Sequence, residues 1–190
     1  RRIVLTETGK RLASAMSDGF RKIESAVEEV KMAGSVVRVT TTSSLAALVL
    51  LPSLQAFSQA RPDISVEVST GEALDSRSYI IPIRFGDAAS VQVSDIISYE
   101  SFDVFGAHGM KPPSWSTEPI TIFTAEWKNR TLPDPPLAAW LATNGLDGAN
   151  MIVKKFDQEL FGIQQAMAEK GLVFCSTTLA KRLLKTDLLQ

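Results

Sequence analysis

Residues 35–70, SVVRVTTTSSLAALVLLPSLQAFSQARPDISVEVST, decide the fold. Val36–Val39 is a near-continuous apolar run of strand type, followed by the hydroxyl run Thr40–Thr41–Thr42–Ser43–Ser44 and an apolar helical pattern from Leu45 to Ala60. Arg61–Pro62–Asp63 is a stop and turn signal, after which Ile64, Val66 and Val68 alternate with Ser65, Glu67 and Ser69. Strand, polar turn, helix, breaker and strand in that order make a parallel βαβ unit, because parallel neighbours need a crossover of this kind. The first strand reads as buried on both faces, the second as exposed on one. Within the helix, Leu48, Leu51, Leu54 and Phe57 are expected to turn inward. Pro52 is expected to kink or break it, since proline supplies no N–H donor. In an open α/β sheet a ligand lies beyond the carboxyl ends of the strands, against a helix N-terminus with unpaired N–H groups. The hydroxyl run sits at such a place; the alternative is that Ser43 or Ser44 only caps the helix.

Before this unit, residues 3–5 read as a short strand and Thr6 as the N-cap of a long helix. No proline interrupts the chain from there to Ala33, and Leu12, Met16, Phe20, Ile23, Val27 and Val30 recur at spacings of three and four. This predicts one amphipathic helix of about 42 Å. Its apolar stripe is narrow and its other faces are charged, as in a coiled-coil seam, so a dimerising helix is preferred over one folded back on its own domain. Gly34 marks its end.

After the unit comes a short polar segment and then Tyr79–Phe85, a strand whose proline places it at an edge or bends it. Residues 95–105 read as two strand pieces, 106–117 as loop, Ile120–Phe123 as strand and Trp127–Pro136 as a polar, proline-rich connection. Leu137–Thr143 is a helix with Trp140 and Leu141 on its apolar side. Met151–Val153 resumes strand character. Asp157 reads as the N-cap of a helix carrying Leu160, Phe161, Ile163, Ala166 and Met167, which Gly171 ends. Leu172–Cys175 is a strand and Thr177–Leu189 a last, basic helix. Helices and strands alternate throughout, so the class is α/β.

The chain has 190 residues, 45% of them hydrophobic, enough for one large domain or two modest ones. The apolar run Leu45–Leu51 is too short to span a bilayer and Arg1–Arg2 precedes no signal-peptide core, which points to the cytoplasm and no membrane partner. The single cysteine, Cys175, excludes an intramolecular disulfide and reads as core in its apolar run. Net charge is −1, without the footprint of a nucleic-acid surface. Residues 1–34 nevertheless carry seven basic and five acidic side chains, with a small basic tip at Arg1, Arg2, Lys10 and Arg11. The one histidine, His108, has no nucleophile motif beside it. No G-x-S-x-G, phosphate-cradling glycine loop or zinc-type spacing of His and Cys is present. The reading is of a non-enzyme without metal or cofactor.

Three separated stretches together resemble one family. RRIVLTETGKRL (residues 1–12) resembles the end of the wing and the start of the linker helix of LysR-type transcriptional regulators. Leu51–Pro52, Leu54, Phe57 and Pro62–Asp63–Ile64 are similar to the family's first regulatory helix and second strand. Ile83–Arg84–Phe85–Gly86 is similar to the I-R-x-G of its third strand. Trp127, Trp140–Leu141, Phe156–Asp157 and Gly171–Leu172–Val173 follow in the order of the branch resembling the glycine-cleavage activator.

The resemblance implies a two-subdomain, periplasmic-binding-protein-like (type II) domain preceded by a long linker helix. Residues 1–34 would be the end of the wing and the dimerising helix, 35–94 regulatory subdomain I, and 95–190 regulatory subdomain II, its return to subdomain I missing. A winged helix-turn-helix contacting promoter DNA would precede Arg1, with Arg1 and Arg2 near the DNA backbone. A small-molecule effector, anionic or zwitterionic, would occupy the cleft between subdomains. Carried across by position, its pocket would use Thr42, Ser43, Ser69, Thr70, Arg84, Phe85, Asp157 and Phe161, although for Arg84 a structural salt bridge competes. Leu12, Met16, Phe20, Ile23, Val27 and Val30 would make a homodimer or homotetramer. The competing function is a transporter's solute-binding protein, which shares the body but needs no linker helix.

Overall fold

A computed structural model of the chain describes residues 6–31, 36–71, 79–115, 119–130 and 132–190. The strand expected at 3–5, the basic pair Arg1 and Arg2, the helix stop at Gly34 and the polar segment after Gly71 lie outside them. Two compact units form: Arg1–Thr41 with Ala56–Ile83, and Thr42–Gln55 with Arg84–Gln190.

In the first unit, helix α1 runs from Glu7 to Lys31. Thr6 caps it, its Oγ1 accepting from the Gly9 N–H at 3.1 Å. At 1.5 Å per residue α1 is about 37 Å long. The apolar row Leu12, Met16, Phe20, Ile23, Val27 and Val30 is 46% to 78% exposed.

The unit's sheet is parallel, with β1 (Val36–Thr41) between β2 (Ser65–Thr70) and β3 (Ile80–Pro82). β1 and β2 pair in register from Val36 opposite Ser65 to Thr41 opposite Thr70, as the βαβ reading requires. β3 is an edge strand, which accommodates Pro82. It is shorter than the expected 79–85: Ile83 makes the last ladder bond, to the Thr40 carbonyl, and β1 ends one residue later.

The helix after β1 is not uniform. α2 (Ser43–Leu45) opens into a π-helical turn, Ala46–Leu50, before α3 (Leu51–Ala60) resumes α geometry. The Leu51 N–H donates to the Ala46 carbonyl, five residues back. This turn bears on two expectations, the break allowed for at Pro52 and the single inward stripe. The chain passes through Pro52 without a break, because the widening falls where the proline ring would otherwise meet the preceding turn. The stripe Leu48, Leu51, Leu54 and Phe57 also loses its phase: Leu48 and Leu54 are half-buried, but Leu51 and Phe57 are exposed.

The second unit is built on a mixed sheet of order β4-β7-β5-β6, comprising β4 (Phe102–Gly106), β5 (Ile120–Ala125), β6 (Met151–Phe156) and β7 (Leu172–Ser176). β7 pairs antiparallel with β4 and parallel with β5, which pairs parallel with β6. Strand periodicity sorts the side chains onto two faces. Ile120, Ile122, Leu172 and Phe174 point to one, covered by Leu137 and Trp140 of α4 (Leu137–Thr143) together with Trp115 and Met110. Phe105, Phe123, Val173 and Cys175 point to the other. They meet Ile163 and Ala166 of α5 (Glu159–Glu169), Leu179, Ala180 and Leu183 of α6 (Thr177–Lys185), and Leu45, Leu48 and Val49. With helices on both faces, β7 is buried along its whole length.

Other expectations need correction. Where two strand pieces were expected over 95–105 there is one strand, Phe102–Gly106; Val93–Asp95 is a 3₁₀ turn, preceded by another at Ala88–Ser90, and 96–101 is irregular. β5 and β6 run longer than expected because they pair fully, from Ile120 opposite Met151 to Ala125 opposite Phe156. α6 stops at Lys185, after which Leu189 turns back to bridge Ala107. At the end of α5 the left-handed residue is Lys170, φ 52°, not Gly171. Gly171 answers a packing demand: a Cβ there would lie 3.0 Å from Cε2 of the fully buried Phe123.

Candidate functional site

In the second unit three helices begin close to strand ends: α2 after β1, α5 after β6 and α6 after β7. Each leaves N–H groups without partners inside the helix, and hydroxyls from the sequence runs take several of them. Thr42 is the cap of α2, its Oγ1 accepting from the Leu45 N–H at 3.4 Å. Ser176 caps α6, accepting from the N–H groups of Thr178 and Leu179 at 3.1 and 3.4 Å. Ser44, 6% exposed, reaches across: its Oγ accepts from the Leu160 N–H at 3.1 Å and so caps α5 from a different element.

That bond places Ser43 and Phe161, neighbours of its two ends, on adjoining first turns. Ser43 is half-buried and Phe161 is 43% exposed. Asp157 is not the cap of α5. Gln158 holds that position without a side-chain bond, because β6 extends through Phe156 and delays the helix. The Asp157 carboxylate instead meets Lys128 Nζ at 2.6 Å, an exposed pair of small energetic weight. Phe85 follows β3 and packs edge-on against Phe102, centroids 6.1 Å apart, and tilted against Trp127 at 5.9 Å. Phe102 stacks on Phe174, which meets Trp140, which meets Trp115, making a continuous aromatic row. Arg84 beside it is half-buried.

In the first unit Ser69 and Thr70 end β2, exposed, opposite Thr40 and Thr41. The hydroxyl run therefore divides between the units, Thr40 and Thr41 in the first and Thr42 to Ser44 in the second. The Thr41 hydroxyl is fully buried with no hydrogen-bond partner among the described residues, as is the side-chain oxygen of Gln158 in the second unit. Such atoms carry a desolvation cost that a ligand or water can relieve.

Sequence reading named Ser44 as a possible cap of its own helix, not of α5, and missed Glu159, Glu100 and Ser176. Glu159, first residue of α5, is only 8% exposed and accepts from the Ser176 N–H at 2.7 Å. Burial pushes its carboxyl up to about 7, against the Ser176 bond and assisted by the charge of Glu100. The only available signal was an acidic residue in a first helical turn, which usually faces water. Cys175 is fully buried, and burial raises its thiol far above the reactive range, as suits a core residue. Among the described residues no group of three or more His, Cys, Asp and Glu side chains is placed to hold a metal, and no helix is long and apolar enough to cross a membrane.

No protein-family model and no curated protein matches the sequence. Solved structures do match. The effector domain of the transcriptional regulator AmpR of Pseudomonas aeruginosa is 19% identical with a TM-score of 0.54, over 82% of this chain and 77% of that one. The AmpR effector binding domain from Citrobacter freundii is 15% identical with a TM-score of 0.51, over 82% and 80%. CrgA, a LysR-type transcriptional regulator from Neisseria meningitidis, is 14% identical with a TM-score of 0.51, over 100% of this chain and 68% of its own. At these identities the likeness is one of fold: the chain has the two-sheet, periplasmic-binding-protein-like type II α/β fold of LysR effector-binding domains, with a long helix on its N-terminal side.

Proposed function

We propose that the chain is the linker helix and effector-binding region of a ligand-responsive transcription regulator of LysR type, in the branch resembling the glycine-cleavage activator. The observation that carries this reading is α1, whose apolar row lies open to water on a chain with the fold of effector-binding domains. A row of six large apolar side chains at three- and four-residue spacing is stable only when covered, and the matching row of a second copy covers it as a coiled-coil seam. This helix also disfavours the solute-binding alternative, which has no use for it.

In this proposal subdomain I follows the helix and subdomain II begins near residue 95. The effector contacts are Thr42, Ser43, Ser69, Thr70, Arg84, Phe85, Asp157 and Phe161. Helix N-termini and Arg84 suit an anionic or zwitterionic metabolite. The buried, unpartnered Thr41 hydroxyl, level with Thr70 on the neighbouring strand, adds a polar group with bonding capacity to spare. Promoter DNA is contacted by a domain outside these residues, with Arg1 and Arg2 close to its backbone. Effector occupancy alters the angle between paired subunits and with it the spacing of the DNA-reading heads. The protein works in the cytoplasm, as a dimer or tetramer, without catalysis.

Two measurements test this. Sedimentation of the chain at tens of micromolar is expected to show a dimer; a monomer removes the seam. Thermal-shift titration with a panel of amino acids, keto acids and other carboxylates is expected to give a saturable stabilisation that Ser43→Ala and Thr70→Ala weaken. No response across the panel, with an unchanged DNA footprint of the full-length protein, counts against effector control.

A further inference from the structure

The N-terminal ends of α5 and α6 meet around one buried serine. Ser176 donates its backbone N–H to Glu159 Oε1 at 2.7 Å and its hydroxyl to Glu100 Oε2 at 2.5 Å, while the same hydroxyl caps α6. Two carboxylates from distant parts of the chain thus grip both donors of a single residue that is 4% exposed. Among the described residues neither carboxylate forms an ion pair. Two unpaired negative charges around one buried group are costly, and a proton retained by one of them removes that cost.

The other groups near Glu159 do not supply the missing charge. Cys175, one residue before Ser176, is a neutral buried thiol. Asp103 on β4 accepts from the Trp140 indole and the Val104 N–H. Asp157 is paired with Lys128. The segment Ser43–Leu50, which packs on α5, and strand β5 contain no titratable side chain. In α6 the cations Lys181, Arg182 and Lys185 lie in its later turns. Lys154 and Lys155 of β6 pair with Glu169 and Glu126.

We propose that Glu159 is a proton-linked latch: protonated, it lets the first turns of α5 and α6 close around Ser176, and on ionising it sets a buried second charge beside Glu100 that outweighs its strengthened bond from the Ser176 N–H and loosens them. Burial and the neighbouring carboxylate place its titration about 7, so the latch changes state around neutrality. The device lies wholly within the second unit and does not depend on the regulator reading.

Amide NMR of the full chain between about pH 5 and about pH 9 tests it. The Ser176 and Leu160 amides are expected to titrate together with a midpoint near 7, and protection of Thr178 and Leu179 from exchange, corrected for intrinsic rate, to fall about tenfold above it. Glu159→Gln keeps an acceptor for the Ser176 N–H but has no proton to lose, and is expected to abolish the titration. Glu100→Gln is expected to lower the midpoint by removing the repulsion. Flat Ser176 and Leu160 amides, or a titration that survives in Glu159→Gln, overturn the proposal. Should Glu159→Gln not fold, the Glu100→Gln midpoint decides, and an unmoved midpoint overturns it.

Discussion

At Gly171 a single methyl group has nowhere to go. Its Cβ would approach the Phe123 ring to 3.0 Å, and that ring is fully buried, with Phe156 and Lys154 among its neighbours. Gly171→Ala is expected to cost about 1–3 kcal/mol through overpacking, read as a lower urea midpoint with an unchanged slope. Ser44→Ala removes the acceptor for the Leu160 N–H and is expected to cost about 1 kcal/mol. Its signature is faster exchange of the Leu160 amide with little change in α6. The residue scale was only partly legible in the sequence. The hydroxyl run does cap a helix, but through Thr42 where Ser43 or Ser44 was expected, and Ser44 serves a helix that starts more than a hundred positions away, with no local pattern to join the two. Asp157 was misread as a cap for the converse reason: its true engagement, with Lys128, is set by the register of β5 and β6.

Elements were more legible than their details. The βαβ unit followed from apolar runs bounded by breakers, and the pairing of Val36–Thr41 with Ser65–Thr70 matches it. The π turn at Ala46–Leu50 was hidden because apolar residues surround it on every side, so periodicity had no polar face against which to register a slip. Pro52→Ala is expected to change stability by less than about 1 kcal/mol, since the turn already relieves the clash that makes helical prolines costly. A loss of about 3 kcal/mol, the usual penalty of proline chemistry in reverse, would mean that Pro52 itself holds the turn in place. On α1, the double change Ile23→Asp and Val27→Asp puts two carboxylates into the proposed seam. It is expected to convert the dimer to monomer in sedimentation while leaving the amide pattern of β5 and β7 unchanged.

For the whole molecule, the two units differ in how much they bury. In the second, β5, β7, α5 and α6 supply nearly all of the fully enclosed side chains. In the first, only Val39, Thr40 and Thr41 are buried among the described residues. Hydrogen exchange is therefore expected to show the strongest protection in Ile120–Ala125 and Leu172–Ser176 and weaker protection in Ser65–Thr70. The overestimated β3 lies at the edge of the less buried sheet, where few contacts extend a strand. Stability should also depend on pH. A carboxyl raised from 4.5 to about 7 on folding holds its proton more tightly in the folded state, so the chain loses stability as pH climbs across that interval. The loss is roughly 3 kcal/mol from this group and is complete above about pH 7. Urea midpoints at fixed ionic strength should fall over this range in the parent and stay level in Glu159→Gln.

The aromatic row has an optical consequence. All three tryptophans of the chain, Trp115, Trp127 and Trp140, belong to the second unit, two of them within the row that runs through Phe174 and the third against Phe85. Light absorbed at the red edge of the protein band, where tyrosine is transparent, is thus emitted from one unit alone. The molecule carries a built-in label that makes the larger unit bright and leaves the smaller one dark.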